Sequence, residues 1–403
     1  MGRTKADHAR ETKMSKTPLL MIPGPIEISD RVREAASSPP PSHVSPALIE
    51  AFGTSIEQMR RVWLAAADSQ PFAIAGSGTI AMDVAVANLV DPGDRIVLVD
   101  TGYFSERMRR MLERRGADVT VVAAAPGDAP SLEDVDTALT AAPTHALFAT
   151  HVDTSTGVRV DARGLAEVAH AHDALTVLDG VCATAGEELQ MDGWGVDVYL
   201  TASQKAIGLP AGLALLVVTK RAMEIRHGLK NPPPLSLDWL EWRPVMQAYE
   251  ERRPAYFSTP ATTLILALHA GLDEILGDAD DPATAMTSRF DLHARTADAL
   301  RTAWGILGLT LLPARRDVTA NTLSAISYPD GVGTELVGAI RNEGVIVAPG
   351  LHPQLRDTYF RVGHMGDVLT RPADVARCVR AVGLGLRACG QEVDIDAALA
   401  AVE

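Results

Sequence analysis

Between Pro71 and Gly180, short and almost continuously apolar runs alternate with stretches whose apolar positions recur at helical spacing. "FAIAGSG" leads into "TIAMDVAVANLV", and "RIVLVDTG" into "FSERMRRMLERRG". "DVTVVAAA" and "ALFATHVDTSTG" are followed by the helix-like "SLEDVDTALTAA" and "ARGLAEVAHAHD", and "LTVLDG" closes the series. A strand with one wet face alternates apolar and polar residues, and these runs do not. They need cover on both faces, which predicts an α/β fold with a mostly parallel sheet between helices.

Size and charge narrow the rest. With 403 residues, 47% of them hydrophobic, the chain can bury a large core and two domains. Beyond the strand-like "LALLVV", residues 228–260 are rich in Pro, Trp and Tyr and read as a loop-heavy excursion. The helical "TTLILALHAGLDEIL" follows, and the acidic turn "GDADDPAT" marks a boundary. Past it, a helix around 286–306, the strands "LTLLP", "TLSAISYP", "VIVAP" and "TYFRVGHMG", and a last helix near 373–389 predict a small C-terminal α+β domain. The expected division is a disordered tail over 1–18, an N-terminal arm over 19–44, a large domain over 45–277 and a small one over 278–403. A formal charge of −14 argues against nucleic acid or an anionic membrane as the main partner. No apolar run reaches the roughly 20 residues of a membrane span. Three cysteines without a CxxC pair, and a polar N-terminus without an apolar signal core, point to a reduced, cytoplasmic setting with no zinc site.

In parallel sheets, ligands bind beyond the carboxyl ends of the strands. Ser77, Thr154, Asp179 and Lys205 all fall at or just past such ends. "AGSGTIAM" places two glycines on a strand-to-helix turn, which is either a plain tight turn or an anion cradle; it matches neither a dinucleotide fingerprint nor a Walker loop. Asp179 can serve as a helix cap, a metal ligand or a partner for a ring nitrogen, although "GVCATAG" offers no further hard ligands. Lys205 follows after 205 − 179 = 26 residues, room for one connection and one adjacent strand. An amine in the small, apolar surroundings of "TASQKAIGLPAGL" is less basic and more nucleophilic than a solvated one. Such lysines form Schiff bases, most commonly with pyridoxal phosphate (PLP). That cofactor needs a phosphate cradle, an acid for its ring nitrogen and a stacking group, and Ser77–Thr79, Asp179 and Phe104 can supply them. Arg361, flanked by apolar residues, is either half of a structural ion pair or a fork for a substrate carboxylate.

"LLMIPGPIEI", "SHVSPALIEAF", "AGSGTIAMD", "THVDTSTGV", "LDGVCATAGEE", "DGWGVDVYLTASQKAIGLPAGL", "AYFSTP" and "FRVGHMG" occur in this order. Together they resemble class V, fold-type-I, PLP-dependent aminotransferases of the alanine–glyoxylate aminotransferase family, with particular likeness to the fungal glyoxylate aminotransferases. The resemblance implies a sheet of the seven-stranded type and PLP as cofactor. Lys205 would be the Schiff-base lysine and Gln204 a phosphate contact, with Ser77, Gly78 and Thr79 forming the phosphate turn. Asp179 would partner the ring nitrogen and Val181 would lie against one ring face. Phe104 falls where many members carry tryptophan, and Thr154 would contact the ring oxygen. Tyr256 and Thr259 would reach the phosphate of a neighbouring subunit, implying a homodimer with shared active sites. Arg361 would bind the substrate carboxylate, and Pro25 and His43 would line the entrance, a structural role for His43 being equally open. The implied reaction is transamination of glyoxylate to glycine, with alanine as donor giving pyruvate and serine as the alternative. Two other readings are a cysteine desulfurase or lyase on the same scaffold, and a non-catalytic relative. No cysteine sits on a flexible loop near the expected site, and Lys205, Asp179 and Arg361 are all present.

Overall fold

The computed structural model describes residues 17–402, so the expected N-terminal tail lies outside the described residues except for Thr17 and Pro18. Seven strands form the central sheet: β1 (Gln70–Ala75), β2 (Arg95–Asp100), β3 (Asp118–Ala123), β4 (Ala146–Thr150), β5 (Leu175–Asp179), β6 (Val198–Ala202) and β7 (Leu213–Val218). Their spatial order is β1-β7-β6-β5-β4-β2-β3. Strand β7 runs antiparallel to both neighbours, and every other pairing is parallel. Strands β4 to β7 are buried along their whole length, as their unbroken apolar runs require. Strand β3 is one of the two sheet edges and stays partly exposed, whereas β1 at the other edge is buried from Gln70 to Ile74.

Two helices bear on the site. Helix α1 (Gly78–Leu89) follows β1 and is apolar on nearly every side, which suits its burial. Helix α2 (Tyr103–Arg115) follows β2 and buries only the stripe Ser105, Met108 and Leu112.

A second hydrophobic core surrounds a three-stranded antiparallel sheet of β8 (Leu323–Ser327), β9 (Ala348–Pro349) and β10 (Tyr359–Gly363), with β10 central. The helix Pro282–Ile306 gives Met286 to the first core and Leu300, Ala303 and Trp304 to the second. The N-terminal arm docks on this second core. Leu19–Leu20 pairs in parallel with Val345–Ile346, and Leu19 and Met21 are buried in it.

Four expectations need correction. "LTLLP" is not a strand but makes a single bridge, Leu311 to Ile326, and "VIVAP" is broken into two short pairings. The stretch 228–260 contains the helix Trp239–Glu250, capped by Asp238 and carrying Pro244. Burial of Trp239, Trp242, Val245, Met246 and Tyr249, spaced three or four apart, outweighs the proline. Finally, the helix Pro372–Ala388 is not the last, since Ile395–Ala400 follows and packs Ile395, Ala398 and Leu399 into the second core.

Candidate active site

The register of the sheet brings the two central residues together. Asp179 ends β5 opposite Leu200 of β6, and Lys205 lies in the turn that follows β6. That turn is closed by Gly208 N–H to the Lys205 carbonyl (2.8 Å) and Leu209 N–H to the Ser203 carbonyl (3.1 Å). Lys205 is only 9% exposed, and its ammonium donates to the carbonyl of Pro23 in the N-terminal arm. Gly24 makes this approach feasible: its φ is +94°, and a Cβ there would stand 2.6 Å from Lys205 Cδ. Burial holds the lysine below its ordinary basicity; the Arg361 charge adds to this, while Cys182 and Asp179 oppose it. Burial pushes Asp179 the other way, up to about 7, against the opposing Val181 N–H bond at 2.9 Å. The Asp153 carboxylate adds to that rise, and Lys205 and Arg107 counter it.

Around this pair lies a ready anion cradle. Ser77 caps α1, accepting Ile80 N–H at 3.4 Å, so the N–H groups of Gly78 and Thr79 open the helix without helical acceptors. Gly78 is pressed against the far wall, where a Cβ would meet Val181 Cγ2 at 2.9 Å. Thr79 Oγ accepts from Arg107 Nη1 at 2.7 Å. Gln204 brings a buried side-chain oxygen that has no partner among the described residues. Phe104 sits in the first turn of α2 with its N–H on Asp153 Oδ2 at 3.0 Å.

Arg361 enters from β10. Its Nε donates to the Pro349 carbonyl (2.9 Å) and its Nη1 to the Thr154 carbonyl (3.0 Å). No carboxylate pairs with it among the described residues, so the structural ion pair left open by the sequence is not what holds it. Thr154 is buried and binds Arg361 through its carbonyl, which leaves the hydroxyl uncommitted. Two residues before Arg361, Tyr359 ties the same strand to the loop segment that holds Ser155. Its hydroxyl accepts Leu351 and His352 N–H, both at 2.9 Å, and donates to the Ser155 carbonyl.

Tyr256 and Thr259 do not join this group within one chain. Tyr256 is 66% exposed; its hydroxyl lies 3.4 Å from Thr259 Oγ and its ring packs at 5.6 Å against that of His43. The His43 carbonyl accepts the Tyr249 hydroxyl at 2.8 Å. Pro25 is exposed beside Gly24, at the rim above Lys205.

Several participants escaped the sequence reading. Asp153 is fully buried and caps α2 through Phe104 N–H while binding Ser155 N–H (2.9 Å) and hydroxyl (2.6 Å). Its partner in α2 lies 49 residues away, so nothing local announced the role. Arg107 is one of five arginines in "FSERMRRMLERRG", and nothing in the sequence separates it from the others. Tyr359 carried a usable signal, since residues two apart on a strand share a face with each other and hence with Arg361.

The sheet order and the strand-end lysine define the fold-type-I class of transferases. The class-V aminotransferase model matches residues 42–394, and the chain belongs to that family. It is 35% identical to alanine–glyoxylate aminotransferase 1 of Saccharomyces cerevisiae over 86% of this chain and 91% of the relative. Against the L-aspartate–glyoxylate aminotransferase of Paracoccus denitrificans, identity is 31% over 88% of this chain and 87% of the relative. The solved structure of an alanine–glyoxylate aminotransferase from Nostoc sp. superimposes with a TM-score of 0.84 at 28% identity, covering 96% of this chain and all of the other.

Proposed function

We propose that this chain is a PLP-dependent aminotransferase that moves the amino group of L-alanine to glyoxylate, giving glycine and pyruvate. One observation carries the reading: a buried amine of weakened basicity, Lys205, lies within electrostatic reach of a buried carboxylate, Asp179, and of Arg361, which has no carboxylate partner among the described residues. The residues present fit the cofactor. The unused amide oxygen of Gln204, the open N–H groups of Gly78 and Thr79 and the capping Ser77 suit a phosphate. Asp179, costly to ionise alone, suits a cationic ring N–H. Phe104 and Val181 are suited to its two faces, and the free Thr154 hydroxyl to its ring oxygen.

When bound, PLP supplies a carbonyl for the amino group and an electron sink for the charge left at the α-carbon. Lys205 would hold the cofactor through its amine, and its Nζ would act as acid and base toward the α-proton. Burial lowers the basicity of that amine, which favours the unprotonated form the task needs. Asp179 keeps the ring nitrogen protonated. Arg361 anchors the carboxylate of donor and acceptor alike, so both half-reactions use one orientation.

The relatives' glyoxylate activities support the acceptor, and the yeast relative supports alanine as donor. The exposed Tyr256–Thr259 pair supports a homodimer in which each subunit completes its partner's phosphate site. Three free thiols support a cytoplasmic setting. The same reading assigns 19–44 to an arm, 45–277 to the cofactor domain and 278–403 to the smaller domain. A desulfurase is disfavoured, because the cysteine nearest the site, Cys182, is buried against Thr322 and pushed up to about 11.

A panel of alanine, serine and aspartate against glyoxylate tests the function. Glycine formation with alanine as best donor is expected. No amino transfer to glyoxylate from any of the three refutes the reading, and a preference for aspartate or serine replaces the donor.

A further inference from the structure

Arg107 stands out among the arginines of α2. Glu106 and Glu113, the acidic residues of its own helix, pair with Arg109 instead. Arg107 makes no ion pair among the described residues. Its guanidinium carbon lies 5.1 Å from the centre of the Tyr103 ring and 5.0 Å from that of Phe104, and those rings stand edge to face, 5.3 Å apart. The two aromatic side chains thus hold the cation by their faces and fix its direction. Its Nη1 donates to Thr79 Oγ at 2.7 Å, bridging α2 to the first turn of α1.

That bond has a chemical consequence. A threonine hydroxyl has one proton and can both donate and accept. With Arg107 donating to one of its two lone pairs, the Thr79 hydroxyl keeps its proton free to donate on the side away from the guanidinium. Thr79 stands in the first turn of α1, next to the open N–H of Gly78 and two residues past the cap, Ser77. A donating hydroxyl, two unpaired N–H groups and a nearby fixed positive charge all favour the same ligand, a dianionic phosphate.

The geometry points to Arg107 as a positioning residue for the cofactor phosphate: it orients the Thr79 hydroxyl as a donor and brings an uncompensated positive charge to the cradle, while Tyr103 and Phe104 hold it in place. This rests on the PLP reading above. It also gives the Tyr103–Phe104 pair a second task beside ring stacking, as a clamp on the cation.

The test compares PLP with pyridoxal, which lacks the phosphate, binding to the full-length apo-protein. Arg107→Met is expected to weaken PLP binding at least tenfold and pyridoxal binding less than threefold, and to blunt competition by inorganic phosphate. Arg107→Lys keeps a charge and a donor and is expected to lose less than threefold for PLP. Because Arg107 acts through Thr79, Thr79→Val combined with Arg107→Met should lose much less than the product of the two single losses. Equal losses for PLP and pyridoxal, or losses that multiply in the double variant, overturn the assignment. A thermal midpoint of the Arg107→Met apo-protein within a few degrees of the parent excludes misfolding; if that variant does not fold, the Arg107→Lys and Thr79→Val comparison with the two ligands decides by the same ratio. Failure of the parent protein to take up PLP at all overturns the functional reading instead, so the two failures are distinct.

Discussion

Replacing Asp179 by Asn should stabilise the cofactor-free protein and weaken the loaded one, and the size of the first effect follows from burial. The carboxyl is 1% exposed and raised from its ordinary 3.8 to about 7. Between those values the folded chain holds a proton that the unfolded chain has released, so stability is lost as pH rises through the window. From pH 5 to pH 8 the unfolded aspartate is ionised throughout, while the folded one passes from neutral to charged. About two pH units of that span lie below the folded value, worth about 3 kcal/mol. Asparagine can keep the bond from Val181 N–H and does not titrate. Urea unfolding of both apo-proteins at pH 5 and pH 8 measures the difference, each extrapolated to water. The Asn variant should gain about 3 kcal/mol on the parent over that pH step. A gain below about 1 kcal/mol, or a gain in the parent's favour, would refute burial as the force acting on Asp179. In the loaded enzyme the order should reverse, because the ring nitrogen then offers the carboxylate a charged partner.

Arg361→Ala should lower kcat/KM for both donor and acceptor by about a hundredfold, the loss of about 3 kcal/mol of charge-assisted hydrogen bonds, with PLP still bound. Single half-reactions followed by the cofactor's absorbance check this, and loss of the cofactor would make Arg361 structural. Tyr359→Phe should cost about 1–3 kcal/mol in thermal or denaturant unfolding, since the Leu351 and His352 N–H groups lose their acceptor. It should also raise KM for the 2-oxo acid, because the strand that carries Arg361 loses its tie to Ser155. An unchanged KM would limit Tyr359 to packing.

The parallel sheet was legible because a strand covered on both faces needs no polar residues, and "LTVLD" and "LALLVV" have almost none. The strand-end positions of Lys205 and Asp179 were legible for a related reason: Asp179 closes one such run and Lys205 follows shortly after another, on the side where parallel sheets bind ligands. Position in the sheet was not legible. Asp118–Ala123 reads as a central strand and lies at the edge, since strand order depends on helices crossing the faces. Proline richness hid the helix Trp239–Glu250, whose buried aromatic stripe decides its conformation. The supports of the site were hidden by distance along the chain. Asp153 reaches α2 across 49 residues, Tyr359 reaches Ser155 across 204, and Lys205 reaches Pro23 across 182. Local pattern carries no record of such contacts.

The most direct measurement is the site of covalent attachment. The full-length protein loaded with PLP is reduced with borohydride, digested and mapped by mass spectrometry. A single reduced adduct on Lys205 is expected, with no adduct and no visible cofactor absorbance in Lys205→Ala. An adduct on another lysine, or full turnover by Lys205→Ala, would contradict the placement of the chemistry in this crevice.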